Sequence, residues 1–351
     1  MKRMLALLTV TLAACAPQFT PRPDATPFTG YVAVGDSITA GFQSAGLTAE
    51  SQRAAYPHLL GQRAGVDVPM PEIGEPGCPP PVGVKGEANC ERTHPEIVSP
   101  DVAVPGAKVH DVLVTTDTQV TDPDPQLYDP RLYRAILGAG VTQIDAATAR
   151  KPKFVTVWIG NNDVLLPTLR GDLTKATPLE SFRTDYATVI ERLKAAGAQY
   201  VVLMTIPDVT RVPALVPVRL LKLTGLVDSS CDGQESYFGT GTLATASKDK
   251  PLSCTSPEVL TKDEYLRAQQ IVEGYNDAIR TIAASHGAVV FDVNAVLNTL
   301  PGRPLIPTAS SPFGRTFSLD GVHPSSFAHA RFAQALAAFM NEQFGTSINP
   351  Y

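Results

Sequence analysis

Short apolar, β-branched runs alternate with helical patterns along most of this 351-residue chain, and that alternation restricts the fold more than any other feature. The runs lie at 31–34, 154–159, 200–206 and 288–293, with a weaker one at 101–104. Each is apolar at most positions rather than at every second one, which predicts strands buried on both faces of a parallel sheet. Helical patterns fall between them at about 54–64, 131–148, 179–195 and 262–285, and a last one runs over 325–344. Together they predict one open α/β domain, a mostly parallel five-stranded sheet covered by helices on both faces. In such a sheet the ligand sits beyond the carboxyl ends of the strands, so chemistry is to be sought in the residues that follow each run.

Three stretches interrupt the alternation, 69–100, 117–130 and 208–261. Structureless loops of that length usually carry a function or a staple. Cys78 and Cys90 fall in the first, Cys231 and Cys254 in the third. Sequence neighbours predict disulfides between Cys78 and Cys90 and between Cys231 and Cys254, in an oxidising compartment. Each constrains the unfolded chain by about 3 kcal/mol. A metal site is the alternative, but the spacings are long and no histidine pair accompanies them.

The N-terminus points to the same compartment. Residues 1–14 join Lys2 and Arg3 to an apolar run and then to small residues, the pattern of an export signal peptide. The run is too short to span a bilayer. Leu12-Ala13-Ala14-Cys15 resembles the lipobox of bacterial lipoproteins, which implies acylation of Cys15 and an anchor in a membrane facing the periplasm or the cell exterior. A plain secretory signal with an incidental cysteine is the alternative. The Pro- and Thr-rich segment 15–29 reads as a tether, and 30–351 as the folded domain, with an insertion at about 208–261. A formal net charge of -5 favours neither nucleic acid nor an anionic surface as partner, and the chain is expected to act as a monomer.

After the first run comes Gly35-Asp36-Ser37-Ile38-Thr39, after the 101–104 run Pro105-Gly106-Ala107, and after the next Gly160-Asn161-Asn162-Asp163. Beyond the last, after a loop, stands Leu319-Asp320-Gly321-Val322-His323-Pro324. A serine hydroxyl is a weak nucleophile until a base takes its proton, and that base works best when a carboxylate orients its ring. Ser37, His323 and Asp320 supply those three parts. Backbone N–H groups of Ser37 and Gly106 and the side-chain amide of Asn162 could meet the oxyanion of a tetrahedral intermediate.

This ordered set resembles the SGNH hydrolases, also called GDSL esterases and lipases. The resemblance rests on Gly35-Asp36-Ser37, Gly106, Gly160-Asn161-Asn162-Asp163 and Asp320-Gly321-Val322-His323, and covers the chain from about Tyr31 to Gln343. It implies a flavodoxin-like, three-layer α/β/α fold and cleavage of carboxylic esters without metal or organic cofactor. It implies Ser37 as catalytic nucleophile, Asp320 and His323 as its partners, and Ser37, Gly106 and Asn162 as the oxyanion hole. Asn161 at the variable position of the third block, and the Gly-Asp-Ser-Ile start, leave the subfamily open. Lipase or acyl-esterase action competes with deacetylation of glycans or cell-wall sugars; a silent surface lipoprotein that binds glycan or a protein is the non-enzymatic rival.

Other residues read as structural. Asp36 and Asp163 are expected to hold loops through hydrogen bonds, Trp158 to fill the core, and His329 to be packed or exposed within the last helix. The acidic run Asp117, Asp122, Asp124, Asp129 lacks the spacing of a calcium loop. The apolar segment 212–227, with Leu215, Val216, Leu220, Leu221, Leu223 and Leu226, is either a buried excursion or a wall for an acyl chain.

Overall fold

The computed structural model describes residues 28, 30–120, 124, 127–302, 304, 308 and 310–350. The expected signal peptide, Cys15 and all of the tether but Phe28 lie outside the described residues. Seven strands form among those described: β1 (Tyr31–Gly35), β2 (Phe154–Trp158), β3 (Tyr200–Met204), β4 (Leu215–Pro217), β5 (Ser236–Gly239), β6 (Leu260–Thr261) and β7 (Val289–Phe291). The main sheet runs β1-β2-β3-β7, parallel throughout.

The fifth expected strand lies in place but is not completed. Residues 101–104 flank the free edge of β1 through a parallel bridge between Ala33 and Asp101. Val102 N–H donates to the Ala33 carbonyl at 3.0 Å and Val104 N–H to that of Gly35 at 3.3 Å. Pro100 and Pro105 bracket the run, and neither has an N–H to extend the ladder. Counted with this run, the spatial order of the five segments is 2-1-3-4-5, the flavodoxin-like order, whose switch point lies at the carboxyl ends of β1 and β2.

Alternate strand residues point to opposite layers. Val32, Val34, Val155, Val157, Val201 and Leu203 pack with the helices Gln143–Ala149, Leu179–Ala195 and Lys262–His286. Ala33, Phe154, Trp158, Val202 and Met204 pack with Tyr56–Ala64 and Ser326–Phe344 on the other side. Trp158 is wholly buried there, as its place in the strand implies. The helix expected over 131–148 is two, Pro130–Leu137 and Gln143–Ala149. Gly138 and Gly140, at φ 97° and 69°, break it, and the Thr142 side chain caps the second by accepting from Asp145 N–H.

Both disulfides form as expected, with Cα–Cα distances of 4.9 Å for Cys78–Cys90 and 5.0 Å for Cys231–Cys254. The insertion is not structureless. β4, β5 and β6 form a small antiparallel sheet, and Val216, Val218, Leu221, Cys231, Phe238 and Val259 make a separate small core. No described helix is long and apolar enough to cross a membrane.

Candidate active site

The site is assembled at the switch point. β1 ends at Gly35, where a Cβ would meet Thr39 Oγ1 at 2.2 Å, so the backbone turns there against its own next helix. Asp36 caps that helix, Ser37–Ala40, by accepting Ile38 N–H at 3.0 Å. Asp36 thus takes the capping role, and the Ser37 hydroxyl faces His323. As the first residue of a helix, Ser37 carries an N–H with no intrahelical acceptor.

His323 Nε2 lies 2.9 Å from Ser37 Oγ, and His323 Nδ1 lies 2.8 Å from Asp320 Oδ2. With the carboxylate accepting from Nδ1–H, Nε2 is left as the acceptor for the serine proton. Asp320 also accepts from the N–H groups of Val322 and His323 at 2.8 Å each, from Ala45 N–H at 2.7 Å and from the Ser318 hydroxyl at 3.1 Å. Burial pushes its acidity toward the neutral form, but the His323 charge and these hydrogen bonds outweigh it and hold the carboxyl well below its usual range. The imidazole packs against Phe42, ring centroids 4.9 Å apart.

Ser44 and Ala45 brace this pair, and neither was visible as a site residue in the sequence. Both take left-handed backbone at φ 54° and 59°, unusual for two successive non-glycine residues. Ser44 N–H donates to Ser318 Oγ at 2.8 Å, and Leu319 N–H to Ser44 Oγ at 3.2 Å.

The structure brings Ser37, Gly106 and Asn162 to one cavity. Gly106, at φ 85°, could carry no side chain: a Cβ would lie 1.7 Å from the Leu127 carbonyl. Asn162 Nδ2 donates to the Ala107 carbonyl at 3.0 Å, which fixes the amide and leaves its second N–H. A cavity of about 500 Å³ brings Ser37, Gly106, Asn162 and His323 to one surface.

Asp36 and Asp163 hold loops, as read from the sequence. Asp36 Oδ2 accepts from Asn161 Nδ2 at 2.6 Å, tying the serine turn to the Asn162 loop, and Asp163 Oδ2 accepts Val109 N–H at 3.1 Å. Burial raises both, Asp36 to about 6 and Asp163 to about 7. His329 is fully buried, accepts Tyr56 N–H at 3.3 Å and is lowered by burial to about 3.

A second cavity of about 900 Å³ adjoins the first across Phe42, Leu166, Leu169 and His323, and includes Asp320. Of the two readings of 212–227, a buried excursion or a wall for an acyl chain, the residues fit the first. None of the apolar residues of 212–227 lines either cavity: Val216 and Leu221 fill the insertion's own core, and Leu223 is 91% exposed. The insertion meets the site instead through Thr240, Thr242 and Glu258.

The chain matches the family described as GDSL-like lipase/acylhydrolase over residues 31–336. Similar solved structures include a lipase/acylhydrolase from Enterococcus faecalis, 14% identical, covering 91% of this chain and 98% of that one, with a TM-score of 0.42. An acetyl xylan esterase from Geobacillus stearothermophilus is 16% identical over 90% of this chain and 94% of that one, with a TM-score of 0.40. No curated protein gave a match. With its four motif blocks in order, three of them directly after the 31–34, 101–104 and 154–159 runs, and the match spanning most of its length, the chain belongs to the ester-hydrolysing family of GDSL-like lipases and acylhydrolases.

Proposed function

We propose that the chain cleaves carboxylic esters through an acyl-enzyme in which Ser37 is the nucleophile. The observation that carries this is the unbroken relay from Ser37 Oγ through His323 to Asp320, at 2.9 and 2.8 Å. Ser37 Oγ bonds to the carbonyl carbon while His323 Nε2 takes its proton, and Asp320 stabilises the resulting imidazolium. The carbonyl oxygen becomes an oxyanion facing the N–H groups of Ser37, Gly106 and the Asn162 side chain. Collapse breaks the carbon–oxygen bond to the alcohol, which leaves with the proton from His323. Water, deprotonated by the same imidazole, then releases the acid and restores the serine.

A p-nitrophenyl ester tests this directly. The wild-type chain should give a pre-steady-state burst of about one nitrophenolate per Ser37, and Ser37→Ala should lose the burst and several decades of turnover while unfolding at the same temperature. A folded Ser37→Ala variant with wild-type turnover would refute the assignment. We also propose that the chain works outside the cytoplasm, with which the two disulfides are compatible. Lipid acylation of Cys15 belongs to this proposal, and the mass of the mature N-terminal peptide from native envelope tests it.

A further inference from the structure

We infer that the two cavities divide the ester between them, and that the insertion builds a subsite for a hydroxyl-rich alcohol. The inference rests on Ser37 being the nucleophile. The alcohol oxygen leaves with the proton carried by His323 Nε2, so the alcohol lies on the imidazole side of the carbonyl and the oxyanion donors lie on the other. The 500 Å³ cavity holds Ser37, Gly106 and Asn162 and is walled by Leu127, Leu132 and Leu165, which suits an acyl chain. The 900 Å³ cavity shares His323 with the first, adds Asp320, contains none of the three oxyanion donors, and takes the alcohol.

The wall of this second cavity is mixed in character: Phe42, Leu166 and Leu169 line it beside a polar group of side chains that includes Arg170. Thr240, Thr242 and Glu258 come from the insertion and Asp172 from the turn that faces it. The hydroxyls of Thr240 and Thr242 and the carboxylate of Glu258 make no hydrogen bond to any described residue. Asp172 spends only Oδ1, on the N–H and hydroxyl of Thr174. Hydroxyls and carboxylate oxygens are acceptors for the O–H groups of a polyol or sugar, and they give little to an alkyl alcohol. A site built to pair substrate hydroxyls discriminates strongly against analogues that lack them.

The wall is also fixed to the site. A Cβ at Gly239 would meet the Leu169 carbonyl at 2.2 Å, and one at Gly171 would meet the Val259 carbonyl at 2.7 Å, so two glycines let the insertion seat backbone against backbone. Ala214 N–H donates to the Gly321 carbonyl, inside the loop that carries Asp320 and His323, and Thr240 N–H donates to the Ala214 carbonyl, each at 2.9 Å. The insertion is thus hydrogen-bonded to the same loop that delivers the proton.

The test holds the acyl group constant and varies the alcohol. For the wild type, kcat/KM for 6-O-butyryl glucose or monobutyrylglycerol should exceed that for ethyl butyrate at least tenfold. Thr240→Val with Thr242→Val and Glu258→Gln should lower that ratio about tenfold. Leu165→Ala should instead change the ratio between butyryl and acetyl esters of one alcohol. If the combined variant fails to fold, Glu258→Gln alone, at an exposed position, should lower the alcohol ratio in the same direction. A wild-type preference for ethyl butyrate, or an alcohol ratio that the wall variants leave unmoved, overturns the inference. Loss of Ser37 dependence with every ester would instead overturn the nucleophile assignment beneath it.

Discussion

Two carboxylates flank Ser37 and His323, and their acidities move in opposite directions. Asp36 is wholly buried and accepts from Ile38 N–H and Asn161 Nδ2; burial prevails and raises it to about 6. Asp320 is also largely buried, but it collects three backbone N–H groups, a serine hydroxyl and the imidazole, and is held below its usual range. The two share a residue type and a low-dielectric setting. What separates them is the number of donors and the paired ring, which decide whether burial neutralises a carboxyl or an ionised carboxylate survives it. Asp320 is thereby suited to support an imidazolium, and Asp36 to hold two loops in register.

The contrast is most severely tested by replacing each carboxylate with its amide. Asp320→Asn should lower kcat on a p-nitrophenyl ester by about 10⁴, because an amide cannot hold His323 in the tautomer that accepts from serine. Asp36→Asn should cost far less, about tenfold, since it keeps an acceptor for Ile38 N–H. Comparable losses at both positions would erase the distinction. Next in size is the pair of neighbouring asparagines. Asn162→Ala should cost about 10²–10³ in kcat with KM little changed. Asn161→Ala, whose amide serves Asp36, should lose much less, and a reversed ranking would move the oxyanion role to Asn161.

Stability sharpens the same comparison. The native state binds the Asp36 proton more tightly than the unfolded chain does, so its contribution is full below about pH 4 and is lost as pH rises through about 6. The Asp320 contribution has the opposite sign, present above about pH 4 and lost on acidification. Between pH 4.5 and 8, wild type should therefore lose about 2 kcal/mol relative to Asp36→Asn, read from urea midpoints. His329, lowered to about 3, loses stability as pH falls below about 6.5, but it is common to both chains and cancels. Parallel curves would mean that Asp36 ionises in the fold without penalty.

Legibility in the sequence followed the reach of each signal. β1, β2, β3 and β7 were visible because buried parallel strands are continuous apolar runs, and the 179–195 helix was visible because its pattern is long. The helix pair within 130–149 was merged, since its apolar residues continue on either side of Gly138 and Gly140 while two glycines end the helix. β4, β5 and β6, at three, four and two residues, are too short to show a period. Ser37, Gly106, Asn162, Asp320 and His323 stood out because each lies at or beyond a strand end in motif order. The brace formed by Ser44, Ala45 and Ser318 did not. Its hydrogen bonds span more than 270 positions, and left-handed backbone at an ordinary residue leaves no mark in the residue type.

That brace supports the smallest effect, and the one that best separates positioning from packing. The Ser318 hydroxyl donates to Asp320 Oδ1 and accepts from Ser44 N–H, the residue before the one whose N–H holds Oδ2. Ser318→Ala removes one of the donors that keep Asp320 acidic and loosens the turn that supplies another. A hydrogen bond of this kind is worth about 1 kcal/mol, so kcat/KM should fall roughly fivefold. The direction of the pH effect follows from the same loss. With fewer donors the Asp320 carboxyl is held less far below its usual range, so Ser318→Ala should lose less stability on acidification than the wild type does. Ser318→Thr, which keeps the hydroxyl, should restore both the rate and the acid dependence of stability. A Ser318→Ala variant that unfolds earlier but keeps the wild-type rate and the wild-type acid dependence of stability would make the brace a packing feature, and would leave Asp320 held by its own loop and Ala45 alone.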